Sequence, residues 1–455
     1  MKSPQSLNRS ERVLLLGVAI KHAARTPGGT ATASARESLL ELEALARSAG
    51  ADVTGTILQV RDALDSATLV GKGKLEEIKT EAKMRDTPLI IVDRNLTPAQ
   101  QRNMEDGTDC RVIDRTQLIL DIFAHRAHTR EGQLQVELAQ LSYLLPRLSG
   151  RGTELSRLGG GIGTRGPGEQ KLETDRRRIR DRMSKLRKAI ETVRRQRATR
   201  REARRAVPIG TIALVGYTNA GKSTLFNVLT RSDVFVSPKM FATLDPTLRG
   251  LTLPSRRRVL LSDTVGFLRD LPPSLIAAFR ATLEEVQEAA LLLVVTDGSH
   301  PEHAEQDAEV EKILAELGVA DRPRIHVMNK VDRLPPEERE MLRRVALTSA
   351  EGPRKTSFVS AQTGEGLPEL LASIDRELPE DRIVRVHLRI AQTDSRHLAM
   401  VYAAGHVLES VWADGHYAIV ADLPQSLAVR LTAHVDAANA SLAVKSSATT
   451  ETAVH

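Results

Sequence analysis

A lysine and a serine at the head of one helix, with an aspartate and a glycine at the end of a later strand, carry the chemistry this sequence offers. Lys222 and Ser223 close the run Gly216-Tyr217-Thr218-Asn219-Ala220-Gly221-Lys222-Ser223. That run follows an apolar stretch at 209–215 and opens a helix, which is the setting a phosphate loop requires. Backbone N–H groups from Asn219, Ala220, Gly221, Lys222, Ser223 and Thr224 are expected to wrap nucleotide phosphates. Lys222 reaches the β and γ oxygens as a point charge, and the Ser223 hydroxyl is a ligand for Mg²⁺, a hard cation that takes oxygen partners and keeps several waters. In Asp263-Thr264-Val265-Gly266, Asp263 ends a strand over 259–262 and can hold Mg²⁺ through water, while Gly266 leaves its amide for the γ phosphate.

Two further elements set the base. Asn329-Lys330-Val331-Asp332, after a strand at 324–328, resembles the guanine-specificity motif of the GTPase superfamily. The resemblance implies that Asp332 accepts from guanine N1 and N2, that Asn329 braces the loop and that the Lys330 stem lies on the base. Ser360-Ala361 looks like the loop whose amide contacts guanine O6. The position after Gly266 is Phe267, where many GTPases place a Gln that orients the attacking water. Phe can neither donate nor accept that bond, so slow intrinsic turnover and stimulation by a partner are expected. Turnover then rests on Lys222, Thr243, Gly266 and the character of position 267. Asn219 stands where K⁺-using GTPases often carry Asn, and an ordinary turn-forming Asn is the other reading; Mg²⁺ is the expected cofactor, with K⁺ left open.

Between these elements, Phe241-Ala242-Thr243-Leu244-Asp245-Pro246-Thr247 resembles the switch I signature of the HflX family, within the Obg–HflX group of translation GTPases. The resemblance makes Thr243 the threonine that brings its hydroxyl to Mg²⁺, with Thr247 the less favoured candidate.

The elements that must position this chemistry are spread over a chain of 455 residues, long enough for two to four domains, with 41% hydrophobic residues for their cores. No apolar run approaches the roughly 18 residues needed to span a bilayer, and no hydrophobic segment follows a basic one at the N-terminus. The chain reads as a cytoplasmic monomer. Cys110 stands alone in an apolar stretch and is expected in a core, which leaves neither an internal disulfide nor a thiolate cluster. The twelve histidines are scattered, with His125/His128 and His300/His303 the close pairs, and they raise no expectation of a metal site.

The net charge of +7 is unevenly placed. Over 176–205 there are fifteen Lys or Arg, including Arg176, Arg177, Arg178 and Arg180, against Asp181, Glu191 and Glu202. That stretch carries +12 and the remainder −5. So concentrated a stripe suits nucleic acid, through counterion release from phosphates, although a charge run is also how a solvated helix face looks. Leu134, Leu138, Leu141, Leu145 and Leu148 form one heptad seam; Leu172, Ile179, Met183, Leu186, Ile190 and Val193 form a second. The two predict an antiparallel helical hairpin. Its tip is the Gly-rich loop 158–169, where Gly160, Gly161 and Gly163 accompany Arg151, Arg157 and Arg165. Gly161-Ile162-Gly163-Thr164-Arg165-Gly166 has the form of a dinucleotide fingerprint, but a helix rather than a strand precedes it, which rejects that reading. A low-bulk cationic tip on a long arm suits an RNA-lined cavity, and an unstructured connection is the plain alternative. The segment Leu155-Ser156-Arg157-Leu158-Gly159-Gly160-Gly161-Ile162-Gly163-Thr164-Arg165-Gly166-Pro167-Gly168-Glu169 is also similar to the linker typical of HflX proteins. In that family the region ahead of the GTPase domain binds the large ribosomal subunit, with its loop directed at the peptidyl transferase centre. Aromatic residues make up 3% of the chain, which argues for contact with phosphate and RNA shape rather than base stacking.

The expected fold class is α/β multidomain: a P-loop GTPase domain preceded by a small α/β domain and an antiparallel helical hairpin, and followed by a small α+β domain. The boundaries read as a flexible N-terminus 1–11, an N-terminal α/β domain 12–128, the hairpin 129–206, the GTPase domain 207–380, a C-terminal α+β domain 381–435 and a disordered tail 436–455. In the N-terminal domain, strands are predicted at 13–20, 51–60 and 89–93 and helices at 36–48 and 74–85, with Thr97-Pro98 starting another. Gly71-Lys72-Gly73-Lys74 is too short for a phosphate loop and reads as a turn before a basic helix start, and a second nucleotide site is a minor alternative. Downstream, a strand at 383–390, a helix at 395–403, a hairpin around Asp414-Gly415 and a helix over 424–434 are expected.

The family resemblance implies a factor that, with GTP, engages the 50S subunit and its 23S rRNA near the peptidyl transferase centre and dissociates stalled or idle 70S ribosomes, under stress or antibiotic challenge. The residues themselves also fit a signalling or RNA-modification GTPase, or a non-catalytic RNA-binding or dormancy factor.

Overall fold

Residues 11–21, 31–148, 167–205, 210–231, 240, 247–255, 257–268, 285–348, 355–378 and 383–434 are described by the computed structural model. Thr243 and its switch segment, Arg151, Arg157, Gly160, Gly161, Gly163, Arg165 and the tail 436–455 lie outside the described residues.

The chain is α/β and multidomain, and its described residues form three sheets in series. The first has the order β2-β1-β3-β4, built from Arg12–Ile20 (β1), Asp52–Arg61 (β2), Leu89–Val92 (β3) and Arg111–Asp114 (β4), every pairing parallel. Parallel strands covered on both faces read as continuous apolar runs, and Val13–Ala19 and Leu89–Val92 do so. Helices Ala31–Ala49 (α1) and Arg115–Arg126 (α4) cover one face with Leu39, Leu42, Leu45 and Phe123. Lys72–Met84 (α2) and Pro98–Thr108 (α3) cover the other with Leu75, Ile78 and Met104. Thr97 starts α3 through a reciprocal cap: its Oγ1 accepts from the Gln100 amide, and Gln100 Oε1 accepts from the Thr97 amide, a device that contributes about 1 kcal/mol. Cys110 is half-buried against the same core rather than enclosed in it.

Helices Arg130–Arg147 (α5) and Pro167–Arg205 (α6) pack on one another. Ile179, Met183 and Leu186 are buried on α6, and Arg182 grips Glu137 of α5 with both ends of its guanidinium fork, at 2.7 and 2.8 Å. The α5 leucines of the expected seam are only half-buried, while Gln135, Val136 and Ala139 are buried. The reason is that α5 serves two partners. Val136 and Ala139 join the core shared with α1 and α4, which leaves the leucine seam as a shallower contact with α6.

The second sheet has the order β10-β9-β8-β5-β7-β6, from Thr211–Gly216 (β5), Thr247–Thr252 (β6), Arg258–Asp263 (β7), Leu291–Asp297 (β8), Arg324–Asn329 (β9) and Thr356–Phe358 (β10). All pairs are parallel except β6 with β7. In an open α/β sheet, ligands bind outside the carboxyl ends of the strands. Here Gly216, Asp263, Asp297 and Asn329 are the last residues of β5, β7, β8 and β9. Helix Lys222–Thr230 (α7) leaves β5 at that edge, with Leu225 and Phe226 anchoring it in the core.

The third sheet is antiparallel, β11-β13-β12, from Ile383–Ala391 (β11), His406–Ala413 (β12) and His416–Pro424 (β13). Asp414 and Gly415 both take positive φ, 51° and 75°, as a two-residue hairpin turn needs. Helix Ser395–Ala404 (α8) lies between β11 and β12. The single helix expected over 424–434 is instead a helix, Gln425–Arg430 (α9), followed by a 3₁₀ turn, Thr432–His434. Leu427 and Leu431 are both fully buried, and the Leu431 amide is shared between the Leu427 and Ala428 carbonyls. That sharing tightens the chain from four-residue to three-residue spacing.

Candidate nucleotide site

The loop from β5 to α7 is held by its own backbone and by the base loop opposite. Asn219 is in the left-handed region at φ 62°, with its side chain exposed, and Gly221 is there at φ 95°. A Cβ on Gly221 would stand 2.2 Å from Asn329 Nδ2, so only glycine lets the two loops close. Asn329, 1% exposed, joins three segments: its Nδ2 donates to the Ala220 carbonyl at 2.8 Å, and its Oδ1 accepts from the Ala361 amide at 3.0 Å. Lys330, itself at φ 62°, donates to the Asn219 carbonyl at 2.7 Å and to Asp297 Oδ2 at 2.6 Å. Asp297 was not read from the sequence. Burial works to raise its carboxyl, but hydrogen bonds from Lys330 and Ser299 outweigh that and hold it below the ordinary range. Its signal is an acid closing a strand whose first five residues are all apolar.

Lys222 is buried, with its ammonium donating to the carbonyls of Gly216 at 3.0 Å and Tyr217 at 2.7 Å. Burial lowers its pKa from 10.5 to about 8; nearby Asp263 opposes the shift, and Lys330 adds to it. The Ser223 hydroxyl donates to Asp263 Oδ2 at 2.8 Å. Two hard oxygen donors in contact at a strand end form a donor set that fits Mg²⁺. Thr224 is half-buried in the first turn of α7. A Cβ on Gly266 would lie 2.8 Å from Thr218 Cα, so the loop after β7 passes against the phosphate loop with no room for a side chain. Asp332 lies half-buried in the 3₁₀ turn Val331–Arg333, and Ser360, fully buried, accepts from the Thr363 amide through its hydroxyl. The structure therefore brings Asn219, Ala220, Gly221, Lys222, Ser223, Asp263, Gly266, Asn329, Lys330, Asp332, Ser360 and Ala361 to one edge of one sheet.

Three family models match in succession: "GTP-binding GTPase N-terminal" over residues 36–124, "GTP-binding GTPase Middle Region" over 126–204 and "50S ribosome-binding GTPase" over 211–330. The chain is 46% identical over 395 residues to "GTPase HflX" of Caldanaerobacter subterraneus subsp. tengcongensis, covering 87% of this chain and 89% of that protein. The chain belongs to the HflX family of GTPases. A second HflX protein, from Escherichia coli (strain K12), is 42% identical over 390 residues, covering 85% of this chain and 90% of its own length. Among solved structures, a GTP-binding protein from the hyperthermophilic archaeon Sulfolobus solfataricus in complex with GDP is 24% identical, with 81% of this chain and 98% of that chain covered at a TM-score of 0.43.

In this HflX chain, Phe267 is 2% exposed and its side chain belongs to a hydrophobic cluster with Tyr217, Val265 and Leu268. Its backbone is bonded to the phosphate loop: its amide donates to Gly216 and its carbonyl accepts from Thr218. The same cluster continues into Leu39, Leu42 and Leu45 of α1, so the first and second sheets share a core. Polar contacts follow that seam. Tyr217 Oη donates to Glu41 Oε1 at 2.7 Å, His300 Nε2 lies 3.2 Å from Glu37 Oε1, and the Ser48 hydroxyl donates to the Met240 carbonyl at 3.1 Å. Glu41 also pairs with Arg115, whose other partner is Asp93, at 2.9 and 2.7 Å. None of these contacts was legible in the motifs.

On α6, Arg177, Arg178 and Arg180 are exposed and Arg176 is half-buried. Arg178 and Arg180 approach Asp175 and Glu173 at 3.5 and 3.6 Å, surface pairs of small energetic weight that leave the face strongly positive. Among the described residues, no helix is long and apolar enough to cross a membrane.

Proposed function

We propose that this chain is a ribosome-binding GTPase that engages the large (50S) subunit in its GTP-bound state and separates stalled or idle 70S ribosomes into subunits. The observation that carries the reading is the joining, in one chain, of an assembled guanine-nucleotide edge to a basic helix, α6, directly ahead of it. The description of the family model over 211–330, a 50S ribosome-binding GTPase, points the same way.

In this reading the loop amides of 219–224 hold the phosphates, and Lys222 turns its ammonium from the Gly216 and Tyr217 carbonyls to the β and γ oxygens. Asp332 accepts from guanine N1 and N2, the Ala361 amide meets O6, and Asn329 keeps phosphate loop and base loop in register. Ser223 and Asp263, with Thr243, would hold Mg²⁺, which when bound neutralises charge on the β and γ phosphates. Asn219 presents its exposed side chain where a K⁺ could be shared with the phosphates. Because Phe267 is packed in the core, no side chain at that position orients the attacking water. The intrinsic rate is accordingly slow, and contact with the ribosomal particle supplies the stimulation. The glycine-rich tip of the hairpin, with Arg151, Arg157 and Arg165, is directed at 23S rRNA near the peptidyl transferase centre, and Arg176, Arg177, Arg178 and Arg180 contact rRNA phosphates. The protein works as a cytoplasmic monomer.

The test is sedimentation of purified 70S ribosomes with the protein and GTP, a non-hydrolysable GTP analogue, GDP or no nucleotide. The triphosphate states should convert 70S particles to subunits and leave the protein on the 50S peak. Sedimentation apart from every particle in all four states would leave a GTPase with no ribosomal role.

A further inference from the structure

The C-terminal unit brings His434 to Asp394 and His397, a pair that lies 40 and 37 residues earlier in the sequence. Asp394 caps α8, its Oδ1 accepting from the His397 amide at 3.3 Å, so that Asp394 and His397 share the first turn. His434 reaches the same place from the 3₁₀ turn after α9, whose position is fixed by fully buried Leu427 and Leu431. Both imidazoles approach one carboxylate oxygen: His397 Nδ1 is 2.7 Å and His434 Nε2 3.6 Å from Asp394 Oδ2. The rings lie 4.6 Å apart between centroids at a 46° tilt. One potential ligand atom from each residue falls within 4.8 Å of the others, and among the described residues this is the group of three that does so.

We propose that Asp394, His397 and His434 bind a Zn²⁺ ion. Two imidazole nitrogens and one carboxylate oxygen are a borderline donor set that suits zinc and is too nitrogen-rich for Mg²⁺ or Ca²⁺. Ligands at about 2.0–2.1 Å in a tetrahedron stand about 3.3 Å from one another, and the 2.7 and 3.6 Å separations here straddle that value. The three side chains are 24–32% exposed, so an ion can enter from solvent and keep a fourth position open to water. An ordinary helix cap explains Asp394 with His397, but it does not explain the second imidazole delivered by a separate element. The ion would staple that element, the last described turn of the chain, to the start of α8.

The test uses full-length, nucleotide-free protein stripped with a chelator and then titrated with Zn²⁺ alone against a chromophoric zinc indicator. One ion should bind per chain with a Kd of about 1 µM or tighter. His397→Ala and His434→Ala should each weaken it by at least about 10-fold, while His406→Ala, at the opposite end of the sheet beside Asp422, leaves it unchanged. Far-UV circular dichroism of the zinc-free variants checks that they fold. In the unaltered protein, Co²⁺ in place of zinc should give the intense visible bands of a four- or five-coordinate site. A weak spectrum like that of hydrated Co²⁺, or zinc affinity that the two variants leave intact, would overturn the proposal and leave a carboxylate–imidazole ion cluster.

Discussion

Lys222 is the residue whose protonation reports on the site. Burial holds its ammonium at about 8, below the 10.5 of an unperturbed lysine. Below pH 8 the folded and unfolded chains both keep the proton, so the burial penalty is fully present. Between about 8 and 10.5 the unfolded chain holds the proton more tightly, so the nucleotide-free protein gains stability as pH rises. Phosphate oxygens placed beside the ammonium act in the opposite sense and raise its pKa again. Nucleotide binding above pH 8 should therefore take up as much as one proton, and GTP affinity should fall as pH climbs further. Calorimetry near pH 9 in two buffers of different ionisation enthalpy measures that uptake; none at all would remove Lys222 from the phosphates. At this scale the motifs carried most of the information, because phosphate, Mg²⁺ and guanine each demand particular atoms at particular spacings. Asp297 was the omission: its role is to aim Lys330, and a residue that acts through another leaves no fixed spacing to read.

Among the elements, α1 and α4 carry the feature least visible from sequence. Arg115 begins α4 at 5% exposure between Asp93 at the end of β3 and Glu41 on α1. Removing one member of a buried charge group strands the others without compensation, at about 3–5 kcal/mol. Arg115→Met should accordingly lower the free energy of the first unfolding transition in urea by that amount, moving its midpoint to lower urea, and adding Asp93→Asn should recover part of it. An unchanged midpoint would mean that the carboxylates find other partners. The strands read at 13–20, 51–60, 89–93, 259–262 and 324–328 match β1, β2, β3, β7 and β9 to within a residue or two, since runs such as 89–92 are apolar without interruption, whereas β4, β6 and β8 went unread. The α5 seam and the helix over 424–434 were read less well for a shared reason. Periodicity says which residues turn inward, but not how many neighbours compete for that face, nor where a buried leucine pulls a helix into tighter winding.

For the whole molecule, the charge distribution is the lever. The basic stripe lies on α6 and the candidate nucleotide site at the edge of the second sheet, so the proposed RNA binding and GTP hydrolysis should be separable by surgery. Deleting residues 159–168 should abolish the conversion of 70S particles to subunits in the sedimentation assay while leaving nucleotide affinity within about 2-fold of the intact chain. Loss of both activities together would mean that the loop serves the fold rather than the ribosome. Order along the chain could be read from composition and motif, but the docking of the first sheet's helices onto the second could not, because it rests on contacts between residues 176 to 263 positions apart. Tyr217 sits inside the phosphate loop and yet gives its hydroxyl to Glu41 on α1. Thermodynamic reciprocity attaches a consequence to that single contact. By whatever factor a guanine nucleotide alters the hold of the phosphate loop on α1, a macromolecule that draws α1 away alters the affinity for that nucleotide by the same factor, and any factor other than one makes the N-terminal unit a sensor as well as a support.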